Sequence, residues 1–135
     1  QYGPHRKNIS TAFHCEPGVL RIHVTEERLQ RLLHNLILNA LQAFSAEGGQ
    51  LTLTTCRQGT EALLRVQDDG PGLPGDLAQR AFEPFVTTKA TGSGLGLWIA
   101  QSLSQEMGGR LQYRPADPRG ALFELRLPQA EGRRA

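Results

Sequence analysis

Three stretches of this chain hold residue types that are costly to keep and able to do chemistry. Asn35, Asn39 and Gln42 recur at a spacing that places them on one stripe of an α-helix, at about 100° per residue. An amide at the edge of a buried face must find partners or it costs roughly 1–3 kcal/mol. Such a stripe either caps neighbouring loops or serves a ligand. A neutral amide oxygen suits a hard cation such as Mg²⁺ that is already bound to phosphates. The second stretch, Asp68-Asp69-Gly70-Pro71-Gly72, directly follows a strand-like run. Its glycines permit a tight turn and the close approach of a ligand. A carboxylate there can accept a hydrogen bond from an exocyclic amine such as that of adenine. The plainer alternative is a surface turn, since Asp-Gly and Pro-Gly are common turn pairs. The third stretch, Gly92-Ser93-Gly94-Leu95-Gly96-Leu97, runs into a helical pattern. Bare N–H groups at a helix N-terminus, together with the helix dipole, favour an anion. A flexible linker fits poorly, because Leu95 and Leu97 interrupt the glycines. The lysine of a P-loop is missing, as is the strand–turn–helix setting of a dinucleotide fold.

The elements that must hold these stretches can be read from apolar periodicity. Leu29, Leu32, Leu33, Leu36, Ile37, Ala40, Leu41 and Phe44 predict a long amphipathic helix over Glu26–Ala46. Thr25 is its expected N-cap, Glu26 and Glu27 suit the dipole of the first turn, and Gly48-Gly49 stops it. Strands are expected at Ile9–Cys15 and Val19–Val24, separated by Pro17-Gly18, and at Leu51–Cys56 and Ala62–Gln67, separated by Gln58-Gly59. A short helix over Asp76–Ala81 and a loop over Glu83–Ser93 follow. A second amphipathic helix carries Leu95, Trp98, Ile99, Leu103 and Met107 and ends at Gly108-Gly109. Two final strands, Arg110–Arg114 and Ala121–Leu127, flank a turn with Pro115, Pro118 and Gly120. This order predicts an α+β fold: a two-layer sandwich of one mixed sheet with helices on one face.

With 135 residues and 39% hydrophobic content, the chain has room for one domain with a true core. We read residues 1–8 as a linker, 9–128 as the domain and 129–135 as a flexible tail. The net charge of +2, with no block of like charges, gives no sign of a nucleic-acid arm. Cys15 and Cys56 have neither CxxC nor metal-ligand spacing and read as free thiols in a reducing compartment. No apolar run is long enough to span a membrane, and no signal peptide opens the sequence.

Taken together, these residues resemble the catalytic ATP-binding domain of sensor histidine kinases, in the superfamily shared with DNA gyrase, heat-shock chaperones and mismatch-repair ATPases. Asn35-Leu36-Ile37-Leu38-Asn39-Ala40 resembles the N box, Asp68-Asp69-Gly70-Pro71-Gly72 the first glycine box, and Gly92-Ser93-Gly94-Leu95-Gly96-Leu97 the second. Phe82-Glu83-Pro84-Phe85 with Thr87-Thr88-Lys89 resembles the F box. The wording is most similar to nitrogen-regulation, oxygen-sensing and dicarboxylate-sensing kinases.

The resemblance implies the Bergerat-type fold, with ATP and Mg²⁺ as ligands. It makes Asn39 the Mg²⁺ ligand, Asn35 a polar group near the phosphates, and this pair the catalytic amides. Asp68 becomes the adenine reader, with Gly70 and Gly72 shaping its pocket. Gln42, Thr88, Lys89, Gly92, Ser93, Gly94, Leu95 and Gly96 join the nucleotide contacts. The γ-phosphoryl group would pass to a histidine on a separate dimerisation domain, with a response regulator downstream. None of His5, His14, His23 and His34 sits in a phosphoacceptor context. No nucleic-acid partner and no direct membrane contact are expected. The location would be cytoplasmic, with room for a parent protein anchored in the bacterial inner membrane.

Two departures argue against tight nucleotide binding. Gln42 stands where many members carry Lys or Arg, and Ala43 where an aromatic stacks on adenine. The competing readings are an ATP-hydrolysing member, a serine kinase of the same fold and a degenerate docking module. Gyrase-type and chaperone-type ATPases put a water-activating glutamate where this chain has Asn35, and an amide cannot take a proton from water.

Overall fold

A computed structural model describes residues 8–18, 21–44, 47–86 and 95–130. The elements are β1 (Ile9–Cys15), α1 (Glu26–Ala43), β2 (Gly49–Gln58), β3 (Glu61–Asp68), α2 (Gly75–Ala78), α3 (Gly96–Glu106), β4 (Arg110–Pro115) and β5 (Ala121–Pro128). The five strands form one sheet in the order β1-β2-β3-β5-β4. β1 runs parallel to β2 and every other pairing is antiparallel, so the sheet is mixed, as expected.

Local sequence explains how α1 begins. Thr25 is extended, and its Oγ1 accepts the Arg28 N–H at 3.3 Å, while Glu26 and Glu27 occupy the first turn. The helix ends at Ala43, short of the expected Ala46, a residue that lies outside the described ones. Phe44 leaves helical geometry and lays its ring against Gly49, where a Cβ would come within 2.5 Å of it.

The strand expected over Val19–Val24 is not formed among the described residues. It reduces to one bridge, Ile22 to Gln129, while Val19 and Leu20 lie outside the described residues. The described part, residues 21–24, lies beside the chain beyond β5, where Ile22 makes its one strand-like pairing among the described residues, while β1 pairs in parallel with β2. Beyond β5, the Gln129 N–H donates to the Thr60 carbonyl and the Ala130 N–H to that of Arg21.

Sheet register separates two chemistries. The cross-strand row Leu53, Val66, Phe123, Tyr113 faces the helices, and the next row, Thr54, Arg65, Glu124, Gln112, faces away. On the helix side, Leu32, Leu36 and Ala40 of α1 and Ala100 and Leu103 of α3 pack with Leu51, Val66, Phe123 and Leu125. This is the two-layer sandwich that the alternating patterns imply.

On the open side, Glu124 is only 2% exposed beneath Arg65, Arg126 and Arg114, with contacts of 2.6, 3.2 and 3.6 Å. Burial pushes its carboxyl up. The Arg65 hydrogen bond and the charges of Arg65, Arg126 and Arg114 outweigh that and hold it below the ordinary carboxylate value.

Candidate functional site

The site is built where β3 ends. Asp68 is the last residue of β3 and is 2% exposed. Its Oδ1 accepts the Gly70 N–H at 2.9 Å and the Ala121 N–H at 3.3 Å. The first bond closes a local turn of the kind short carboxylates favour. The second ties that turn to the start of β5. Asp69 points elsewhere: its Oδ1 accepts the Gln50 N–H at 2.9 Å, extending the edge of β2. Gly72 has φ 76, and a Cβ there would lie 3.0 Å from the Gly120 carbonyl oxygen. Glycine is needed here for both conformation and space.

α1 connects this loop to the start of α3. A Cβ on Gly70 would lie 3.5 Å from the Ala43 carbonyl oxygen and 3.7 Å from the Ala43 Cβ, so the loop rests on the last turn of α1. Two turns earlier, about 12 Å along the axis, Asn35 Oδ1 lies 3.5 Å from where a Cβ on Gly96 would be. The Asn35 Nδ2 donates to the Arg31 carbonyl at 3.0 Å, which turns its oxygen towards α3. Asn39 sits between these points, half-buried, and Gln42 is exposed on the same stripe. Gly96 is the first residue of α3 and Leu95 its cap, with the Ile99 N–H donating to the Leu95 carbonyl at 2.8 Å.

The structure therefore brings Asn35, Asn39, Asp68, Gly70, Leu95 and Gly96 to one side of the molecule, along α1. Gly72 follows in the same loop. Thr88, Lys89, Gly92, Ser93 and Gly94 lie outside the described residues. The aromatic pair before them divides its work. Phe82 meets Phe123 edge-on at 6.1 Å, whereas Phe85 is 73% exposed and takes φ 70, unusual for a bulky residue.

Among the described residues, no group of three or more His, Cys, Asp or Glu side chains could hold a metal ion. A cation here would draw most of its ligands from phosphates and water, which is how Mg²⁺ is usually held. The neutral amides of Asn35 and Asn39 fit that chemistry.

Sequence reasoning missed Tyr113 of β4 and Arg119 and Gly120 of the turn that follows it, which surround the Asp68 loop. The Tyr113 hydroxyl accepts the Leu73 N–H at 3.2 Å, and Arg119 Nε donates to the Gly70 carbonyl at 3.0 Å. No local pattern announces these contacts, since they cross forty or more positions of sequence.

An amide stripe thus joins the glycine that opens α3 to a buried carboxylate on a strand end, within a two-layer α+β sandwich. Residues 24–131 match the family described as Histidine kinase-, DNA gyrase B-, and HSP90-like ATPase, and the chain belongs to it.

Within that family, its relatives are sensor kinases. It is 36% identical over 121 residues to sensor histidine kinase ZraS of Klebsiella oxytoca, covering 89% of this chain and 26% of that protein. It is 40% identical over 124 residues to the alginate biosynthesis sensor protein KinB of Pseudomonas aeruginosa, covering 90% and 21%. The chain thus spans about a quarter of these relatives' length. Among solved structures, the mycobacterial sensor histidine kinase MprB superimposes with TM-score 0.80 at 28% identity, covering 90% of this chain and 82% of that one. Full-length ShkA in complex with AMPPNP does so at 0.78 and 34% identity, covering 92% and 26%. Histidine kinase ThkA in complex with response regulator protein TrrA does so at 0.76 and 28% identity, covering 90% and 34%. Among the described residues, no helix is long and apolar enough to cross a membrane.

Proposed function

We propose that this chain, as a cytoplasmic domain bounded by residues 9 and 128, binds Mg-ATP. It would pass the γ-phosphoryl group to a histidine on a separate dimerisation domain, ahead of a response regulator. One observation carries the reading: α1 places Asn35 against the start of α3 and Ala43 against Gly70, with Asp68 buried behind that loop. In this reading the base lies at the Gly70 end and the phosphates at the Gly96 end. The AMPPNP held by ShkA and the TrrA held by ThkA support it by kinship.

In this reading Asp68 accepts from the adenine amine, and Gly70 and Gly72 keep that wall bare. Asn39, with Asn35 and Gln42 alongside, holds the metal end. Leu95, Gly96 and, by resemblance, Thr88, Lys89, Gly92, Ser93 and Gly94 surround the phosphates. Mg²⁺ bound there supplies neutralisation of phosphate charge, which is most of what phosphoryl transfer requires. The chain's part is to orient the nucleotide so that a P–N bond to the acceptor forms as the bond to the ADP oxygen breaks. The acceptor imidazole brings its own base.

Hydrolysis fits less well. Asn35 occupies the position where a base would act on water, and its Nδ2 is already engaged with the Arg31 carbonyl.

Mixing the chain with a related dimerisation domain and γ-labelled ATP should place acid-labile phosphate on that domain. Phosphate release without an acceptor, at comparable speed, would favour an ATPase instead. Asn39→Ala should weaken Mg-dependent ATP binding about tenfold, as one ligand contact of this kind is worth about 1–2 kcal/mol. Unchanged affinity by calorimetry would remove Asn39 from the metal end.

A further inference from the structure

The loop Asp68-Asp69-Gly70-Pro71-Gly72 cannot fix its own far half. Gly70 and Gly72 have no side chains, and Pro71 has no N–H. Its shape has to be imposed from outside, and the β4–β5 hairpin does so. Two of the grips are backbone: the Ala121 N–H on Asp68 Oδ1 at 3.3 Å, and Gly120, where a Cβ would collide with the Asp68 carbonyl. The other two are side chains that the sheet does not require. Arg119 Nε donates to the Gly70 carbonyl at 3.0 Å, from an exposed position in the turn. The Tyr113 hydroxyl accepts the Leu73 N–H at 3.2 Å, with its ring held against Phe123 at 5.3 Å.

We propose that Arg119 and Tyr113 are positioning residues for nucleotide recognition. Arg119 orients the Gly70 peptide and Tyr113 pins Leu73, so that the loop is already in its binding shape before a nucleotide arrives. Neither touches the ligand. Their effect is to spare binding the ordering entropy of two glycines. This inference rests on the nucleotide reading of the site. It goes beyond that reading by making the β4–β5 hairpin part of the affinity.

The test is calorimetric titration of ATP and of ADP, each with Mg²⁺, into the wild type, R119A, R119K and Y113F. It is paired with amide hydrogen exchange of the nucleotide-free proteins. Losing one such hydrogen bond should weaken binding about three- to tenfold. The factor should be equal for ATP and ADP, because the loop faces the base and not the phosphates. R119K should recover part of the loss. Exchange should quicken at Gly70, Gly72 and Leu73, most of all at the Leu73 N–H in Y113F, with the thermal midpoint little changed. R119A and Y113F binding as tightly as the wild type would overturn the proposal. So would a loss that R119K does not relieve, or exchange that quickens evenly over the whole chain. Should R119A fail to fold, Y113F and R119K decide alone, since Y113F keeps the ring and R119K keeps the charge. A wild type that binds no ATP is a different result. It would end the functional reading itself and this inference with it, whereas tight variants end only the inference.

Discussion

Two carboxylates in this molecule are equally hidden, and they are hidden for different reasons. Asp68 and Glu124 are each 2% exposed, on opposite faces of one sheet. Glu124 is held by the ends of long cationic side chains, Arg65 at 2.6 Å, Arg126 at 3.2 Å and Arg114 at 3.6 Å. Those arginines come from β3, β5 and β4, so the cluster fastens three adjacent strands on the face turned away from α1 and α3. Asp68 is gripped instead by backbone donors, the N–H groups of Gly70 and Ala121, whose positions belong to the fold itself. A carboxylate matched to mobile cations stabilises strands. A carboxylate oriented by fixed backbone dipoles beside bare glycines is held by the fold, and the proposed function gives it a ligand to meet.

The largest effect that separates them should come from Asp68→Asn. The amide keeps an oxygen for the two N–H groups and loses the charge, so folding should survive. Calorimetric ATP affinity should fall about 10- to 100-fold, the range for a hydrogen bond to a charged group. Unaltered ATP affinity would make Asp68 a structural carboxylate like Glu124.

Glu124→Gln should do the converse. Stability in chemical denaturation should drop by about 1–2 kcal/mol, since the freed arginines can rehydrate, while ATP affinity stays at the wild-type level. A parallel loss of affinity would show that the two faces are coupled.

The pH dependence sharpens this further. Glu124 titrates lower in the folded protein than in the unfolded chain, so the unfolded state binds the proton first as pH falls. Its contribution is complete above the ordinary carboxylate value of about 4.3 and fades as pH drops through the folded value. The stability gap between wild type and Glu124→Gln should therefore shrink between neutral pH and pH of about 3. A constant gap would assign the effect to packing.

The smallest change should come from Arg114→Ala. The side chain is 55% exposed and reaches Glu124 at only 3.6 Å, so screening leaves it at most about 0.5 kcal/mol. A larger shift in the denaturation midpoint would mean that Arg114 carries the cluster.

Much of this architecture is legible in the sequence, because it rests on short-range signals. Thr25 with Glu26 and Glu27 marks the start of α1, and the leucine spacing marks its buried stripe. The alternation in Ala121–Pro128 marks β5 and Gly108 the end of α3. The site stretches were found the same way, from amides, carboxylate and glycines at odds with their local propensity. Less legible was anything set by a distant segment. Of the strand expected after Pro17 the described residues keep only the Ile22 bridge to Gln129, a partner more than a hundred positions away, and Phe44 leaves α1 to pack on Gly49. Glu124 gave no warning of its burial, since its arginines are brought to it only by strand register.

The amino-acid order by itself determined which residues could serve a nucleotide, which helices and strands would present them, and the family they resemble. Those properties follow from neighbours within a turn of helix or a pair of strand residues. Tertiary structure alone decided that Asn35 meets Gly96, that Ala43 supports Gly70, and that Tyr113 and Arg119 reach across to hold the Asp68 loop. Such contacts join residues far apart in the chain, and only the closing of the sheet and the packing of α1 and α3 on it bring them within bonding distance.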